Sequence, residues 1–340
     1  MSLNSSMVET CAKNGNILAL TTTNISSKHG EKIQQTNGFK IKGTSTYFQT
    51  ELKWLNIIIF LILHIVAVYG FATFPYFQKK RTFFFSYIVS HMVGFGITAG
   101  AHRLWTHRAY KAKLPLKIFL LYCYYTSGQF SLYNWVRDHR VHHKYSETEA
   151  DPHNSKRGFF FSHIGWLLMK KRPEVIKRGC EIDMRDILKD PIIVFAEKYH
   201  IILNILCCFV IPIIIPVYFW HEGWYYSIMA TNARFIQTLN YTWSVNSFAH
   251  MWGSKPYDKT IAPVENKLVA YATLGEGFHN YHHMFPYDYK CAELGIYNLN
   301  WTTCLIDMFA KIGWAYDLKQ PSKELIKAVM NKKGNGSKFC

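Results

Sequence analysis

Residues 54–77, "WLNIIIFLILHIVAVYGFATFPYF", contain no Asp, Glu, Lys or Arg. A helix needs about 20 apolar residues to cross a hydrocarbon layer of about 30 Å, and this run is long enough. Aromatic residues at its two ends suit a membrane–water interface. "QKKR" (78–81) then makes a short turn, and "TFFFSYIVSHMVGFGITAGAHRLW" (82–105) follows. A second pair comes later: "IILNILCCFVIPIIIPVYFW" (201–220), the turn "HEGW", and a long segment over 224–253. That last segment carries Arg234 and several polar residues, so its later part is expected to rise out of the membrane near His250. The expectation is an all-α membrane protein with four transmembrane helices, at about 54–76, 83–101, 201–220 and 224–246. They form two hairpins and carry a helical cytosolic domain.

The remaining segments complete this plan. Residues 1–50 are rich in Thr, Ser, Asn and Lys and read as a disordered cytosolic tail. Residues 51–320 form the membrane domain, and 321–340, ending in "NKKGNGSKFC", read as a flexible tail. The apolar stretch 115–133 is short and broken by Ser-Gly, which fits a helix lying in or near the interface. "MSLNSSMVET" has no basic start followed by an apolar run, so no cleaved signal peptide is expected. Four spans place both termini on one side. Residues 101–200 hold 18 Lys+Arg against 10 Asp+Glu, which assigns that side to the cytosol, although "QKKR" opposes it.

The formal charge is +17, from 39 Lys+Arg and 22 Asp+Glu. No zinc-finger spacing and no basic region leading into heptads accompanies it, so nucleic acid is not an expected partner. Anionic lipid or an acidic protein would use the same charge. The eight cysteines, Cys11, Cys123, Cys180, Cys207, Cys208, Cys291, Cys304 and Cys340, include no C-x-x-C and fit a reducing compartment. Sequons at Asn24 and Asn240 matter only where they face a lumen.

Nine of the 16 histidines gather on the proposed cytosolic side. His102 and His107 follow the second span; His139, His142 and His143 form "HRVHH"; His250 ends the fourth span; His279, His282 and His283 form "HNYHH". Positions i, i+3 and i+4 lie on one side of a helix. Charged imidazoles so crowded would repel, whereas neutral ones are good ligands for Fe, Zn, Cu or Ni. Nine exceed the needs of one ion and suit two. His29, His64, His91, His200 and His221 stand apart and read as ordinary core or surface residues. Structural zinc sites usually take four ligands, often cysteines, and none of the cysteines joins these clusters. Redox chemistry on an apolar substrate favours iron, although the familiar signature of two histidines and a carboxylate is missing.

The motifs "GAHRLWTH", "RDHRVHHKYSETEADPHN", "RGFFFSHIGWL", "NSFAHMWG", "KPYD" and "GEGFHNYHH" resemble those of the membrane-bound acyl-CoA desaturases, of the stearoyl-CoA and insect type. The resemblance covers about residues 50–320 and implies two irons. One would be held by His102, His107, His139, His143 and His283. The other would be held by His142, His250, His279 and His282, with Asn246 acting through a water. It implies a kinked tunnel for the acyl chain, with the coenzyme A outside. Arg137, Asp138, Lys170 and Lys171 are then candidates for the coenzyme A end, because cations suit its phosphates. Ser86, Ser90 and Gly94 form an i, i+4, i+8 line that either leaves the tunnel end open or serves helix packing.

The resemblance further implies an endoplasmic reticulum enzyme that uses O2 and two electrons from cytochrome b5 and its NADH-dependent reductase to introduce a cis double bond. Δ9 and Δ11 both stand open. "YYTSGQFSLYNW" (124–135) departs from the pattern expected of a housekeeping Δ9 enzyme and hints at a specialised insect enzyme, such as one of pheromone biosynthesis. Two other readings use the same residues. A hydroxylase or acetylenase would keep the ligands and change only the placement of the C–H bond. A non-enzymatic metal-binding or transport protein would want ionisable groups near the midplane instead.

Overall fold

The computed structural model describes residues 50–293 and 297–337. The expected N-terminal tail, with His29 and Asn24, lies outside the described residues except for Thr50. Among the described residues the fold is helical, with one two-stranded sheet, Lys111–Ala112 antiparallel to Ala315–Tyr316.

Helix α1 (Trp54–Thr73) turns Leu55, Ile58, Leu61, Ile62, Ile65 and Val68 outward. An apolar face of this extent left uncovered marks contact with lipid. Helix α2 (Lys80–Thr106) runs back as an α-helix to Phe95 and then as a π-helix over Gly96–Thr106. Among the described residues, three helices are long and apolar enough to cross a membrane: α1, α2 and His200–Trp220. The chain is a membrane protein.

Helix α3 (Leu114–Tyr125) occupies part of the expected interfacial segment and is too short to span. It packs tightly on α2: a Cβ on Gly96 would lie 2.3 Å from the backbone of Cys123. Gly128, at φ 63°, takes the left-handed turn that follows. Ser131 then caps α4 (Leu132–Tyr145), its hydroxyl accepting from the Asn134 N–H. Leu116, Leu120, Tyr124, Leu132 and Val136 are buried together where α3 and α4 meet α2. Each such leucine contributes about 1.5–3 kcal/mol of burial.

The fourth expected span is part of a 28-residue helix. With α5 being His200–Trp220, this is α6 (Trp224–Met251). It does not reach the apolarity of the other three because its polar residues face protein. Arg234 donates to the carbonyls of Thr126 (3.1 Å) and Cys208 (2.6 Å), and Asn232 to that of Leu63. The Asn240 amide donates to Ile236 O, and its oxygen lies 3.1 Å from His163 Nε2. His64 and His91 bond to the carbonyls of Phe60 and Tyr87, one turn back.

The "QKKR" turn ends sooner than expected, since α2 begins at Lys80. Lys79 pairs with the buried Glu222 at 2.7 Å, and Thr82 donates to the same carboxylate, tying one hairpin turn to the other.

Beyond α6 come α7 (Lys267–Ala272), α8 (His279–Met284), α9 (Trp301–Lys311) and α10 (Lys323–Lys333). The last of these corrects the expected flexible tail. Ser322 caps α10, and Ile326 is buried against Tyr257, Tyr281 and Phe285. Basic residues alternate with Leu325, Ile326, Val329 and Met330, a helical pattern that the polar composition concealed.

Candidate metal centre

His102 and His107 sit five residues apart where α2 winds as a π-helix. In an α-helix that spacing would turn the rings about 140° apart. The wider winding, whose last bond runs from His107 N to His102 O, brings their centroids within 4.8 Å. His139, His142 and His143 project from α4, His250 from the end of α6, and His279, His282 and His283 from α8.

All nine predicted histidines come together, in two sets. His102, His107, His139, His143 and His282 form the first; His142, His250, His279 and His283 form the second. This corrects the expected division, which exchanged His282 and His283. The reason is helical. On α8, i and i+4 lie about 40° apart, whereas i+3 and i+4 lie about 100° apart. His279 and His283 therefore share a set and His282 faces the other. On α4 the same rule puts His139 with His143 and turns His142 away. The two helices cross their histidines, each giving two to one set and one to the other.

The two sets fit bound metal. His282 Nε2 lies 2.9 Å from His102 Nε2 and 3.0 Å from His143 Nε2. His279 Nε2 lies 3.0 Å from His250 Nε2 and 3.1 Å from His283 Nε2. Nitrogens bound to one ion at about 2.1 Å stand about 3 Å apart when adjacent. Nε2 of His107, His139 and His142 is buried without a hydrogen-bond partner among the described residues.

Carboxylates lie behind three of the rings and orient them. His102 Nδ1 lies 2.8 Å from Glu276, His142 Nδ1 2.9 Å from Asp151, and His250 Nδ1 2.9 Å from Glu147. With the proton held on Nδ1, the Nε2 lone pair points inward, where facing lone pairs repel unless a cation lies between them. Glu276 also accepts from the buried Arg103 at 2.8 Å.

Electrostatics agree. Burial, and then the neighbouring imidazoles, push His107, His139, His143, His279, His282 and His283 well below the ordinary histidine pKa, keeping them neutral. His142 is the exception: burial opposes its charge, but Asp151 outweighs that and raises it. Glu276, despite burial, is drawn down to about 2 by His102 and Arg103.

Two cavities meet at the histidines. One of about 720 Å³ is lined by His102, His139 and His279, and also by Ser86, Ser90 and Gly94. The other, of about 280 Å³, is lined by Asp138, His153 and His200. Trp135, His139, Thr242 and Asn246 line both. At this junction Gln129 donates to Thr242 at 3.0 Å and accepts from Trp135 Nε1 at 3.1 Å. Gln129 lies in the stretch that departed from the expected pattern.

The basic candidates are already paired. Arg137 and Lys171 both bond to Asp138, and Lys170 to Glu51 at 2.5 Å. Against burial, Lys171 and Arg137 lower the Asp138 carboxyl to about 2. Arg137, Lys170 and Lys171 do not line either large cavity. Sequence reasoning missed Glu147, Asp151 and Glu276, although all three stand in "SETEADPHN" and "GEGFHN" beside the histidines. Acidic residues so close to a ligand cluster were the available signal.

Two histidine-lined centres, carried where apolar helices enter a polar cap, are compatible with a membrane enzyme that binds metal. The fatty acid desaturase family profile matches residues 79–295. The chain is 53% identical over 291 residues to the acyl-CoA Delta-9 desaturase of Acheta domesticus, covering 85% of this chain and 81% of that one. It is 51% identical over 287 residues to the acyl-CoA Delta(11) desaturase of Spodoptera littoralis, covering 84% and 85%. Stearoyl-CoA desaturase 5 of Bos taurus is 48% identical over 288 residues, covering 84% and 85%. The chain belongs to the fatty acid desaturase family.

Proposed function

We propose that the chain is an acyl-CoA desaturase, an oxygen-dependent oxidoreductase that introduces a cis double bond at Δ9 or Δ11 of a long-chain acyl-CoA. The observation that carries this reading is the meeting of two apolar-walled cavities at a double histidine centre. His102, His107, His139, His143 and His282 would hold one iron, and His142, His250, His279 and His283 the other. Bound iron supplies the oxidation: with O2, two electrons and two protons, adjacent CH2 groups become CH=CH and two waters form.

The chain's own residues bind, orient and exclude water. Glu276, Asp151 and Glu147 hold their imidazoles with Nε2 inward. Trp135, Gln129 and Thr242 stand where the cavities meet and bend the acyl chain there. The larger cavity takes the methyl end. Asn246, one turn before His250, lines both cavities and would hold a water near the second set. The coenzyme A end lies near Arg137, Lys170 and Lys171. Lys53 joins them; burial and then Lys171 push its ammonium down, while Asp138 acts the other way.

The reading includes four spans in two hairpins, both termini in the cytosol, and residence in the endoplasmic reticulum. Pairing of Lys79 with Glu222 removes part of the opposing charge of "QKKR" from the orientation argument. Cytochrome b5, fed by its NADH-dependent reductase, would supply electrons at the basic cytosolic face.

The test is expression in yeast lacking its own Δ9 desaturase, with gas chromatography–mass spectrometry of derivatised fatty acids. A new monounsaturated acid is expected, and its bond position separates Δ9 from Δ11. Iron-loaded protein with no new product when acyl-CoA and electron donor are supplied would overturn the reading.

A further inference from the structure

Leu274 stands in the wall of the larger cavity, between α7 and the carboxylate that orients His102. It is buried, and its backbone sits at φ 60°, a region residues with a side chain seldom adopt. Its conformation is held from outside. Its carbonyl accepts from both the N–H (3.1 Å) and the hydroxyl (2.9 Å) of Thr302. The Thr302 hydroxyl lies 2.8 Å from that of Thr98, on α2 one turn before His102.

The side chain is held as firmly. A Cβ placed on Gly94 would lie 2.5 Å from Leu274 Cδ1, so the leucine rests on α2 where α2 has no side chain. This resolves the role of Gly94 in the line Ser86, Ser90, Gly94: it seats a neighbour. Ser90 and Thr98, on either side of Gly94 along α2, line the same cavity, as do His102 and His279. Leu274 is thus a fixed apolar projection into the cavity that the histidine rings also line.

We infer that Leu274, seated on Gly94, is a specificity-determining residue that sets which methylenes of the acyl chain lie against the histidines. The inference rests on the desaturase activity proposed above. An apolar chain follows the free volume offered to it, and a change of one methylene in such a pocket shifts selectivity by roughly 10–200-fold. Shortening Leu274 opens space in the cavity wall at Gly94 and lets the chain bulge there, which shifts the carbons beyond it relative to the histidines. Adding a methyl at Gly94 drives Leu274 into the cavity and displaces the chain the other way.

The test uses the full chain in desaturase-deficient yeast: wild type, Leu274→Ala, Gly94→Ala, and Leu268→Ala as a control on the exposed face of α7. Double-bond positions are read by mass spectrometry, and iron per chain is measured on purified protein. Absence of any product from iron-loaded wild type supplied with acyl-CoA and electron donor defeats the desaturase reading itself, and the inference with it. With wild-type product present, Leu274→Ala or Gly94→Ala is expected to change the ratio of positional isomers about tenfold at wild-type iron content, with Leu268→Ala unchanged. Where one variant yields no product, the other decides. Wild-type ratios in every active variant would overturn the inference. So would loss of all product in both, which would make Leu274 a structural support of the metal centre.

Discussion

His102 and His250 both turn Nδ1 to a carboxylate, yet they serve differently built sites. The first set has five imidazoles and one supporting carboxylate, Glu276, whose charge is shared with the buried Arg103. The second has four imidazoles and two supporting carboxylates, Asp151 on His142 and Glu147 on His250. Asp151 also accepts the backbone N–H groups of Glu147 and His153, and Glu147 accepts from Ser155 and Lys156. One site gains its hold from ligand number, the other from the charge and rigidity behind fewer ligands. The contrast implies that the second set has less redundancy in its nitrogens and more dependence on its carboxylates.

Removing a ligand tests this most severely. His282→Ala and His283→Ala are adjacent changes on one short helix and are expected to strike different sites. Both should abolish turnover. Iron per chain should fall from two toward one in each, with the larger loss in His283→Ala, where only three nitrogens remain. Metal analysis with Mössbauer spectroscopy of the residual iron separates the two. An identical residual spectrum in both variants would break the division of sites drawn above.

How far this centre could be read beforehand differs along the chain. The nine histidines stood out because clustered imidazoles next to apolar runs have few other uses. The division between sites was legible on α4 and could have been read on α8, since the 3.6-residue period puts i with i+4 in both. His102 and His107 were harder: five-residue spacing implies a shared site only where the helix is π-wound, and Gly96 with its close approach to Cys123 gave no such sign alone. The carboxylates were hidden because Glu147, Asp151 and Glu276 resemble surface residues until burial is known. Helix α6 was found by length, but its polar residues meet protein that no local window reveals. Helix α10 was lost to its lysines, although Ile326 and its neighbours held the period. Gly94 was ambiguous for a related reason: its partner Leu274 is distant in sequence.

Replacing a supporting carboxylate should have a smaller effect than removing a ligand. Loss of such a partner typically weakens metal affinity or activity 10–100-fold. Asp151→Asn is expected near the upper end of about 100-fold, because its set has one nitrogen fewer. Glu276→Gln is expected nearer about 10-fold in activity, although Arg103 is then left without its carboxylate partner and the protein should also lose stability. Activity per bound iron, measured beside melting temperature, distinguishes the two costs. Equal losses of affinity at both sites would remove the distinction between ligand number and carboxylate support.

Acidification should produce the mildest separation. Binding needs neutral imidazole, so a proton competes with the metal for each ring. Six of the ligands have pKa values held well below the ordinary 6.5 by burial and by one another, so protons displace metal from them only at distinctly lower pH. His142 is raised by Asp151 and takes its proton first. The second set is therefore expected to release iron before the first as pH falls. The metal-free protein adds a stability effect with a definite sign. A histidine of raised folded pKa stabilises below its unfolded pKa, and that contribution is lost as pH rises. The six of lowered pKa do the reverse, destabilising the fold as pH falls below about 6.5. His250, lowered by burial, acts in the same direction, so seven ligands oppose one and the apo protein should melt at lower temperature as the solution is acidified. Glu276, at about 2, stays ionised through this range and adds its own loss only as pH falls from about 4.5 toward 2. Simultaneous release of both irons on acidification would mean that the pair titrates as one unit and that the Asp151–His142 contact does not distinguish the sites.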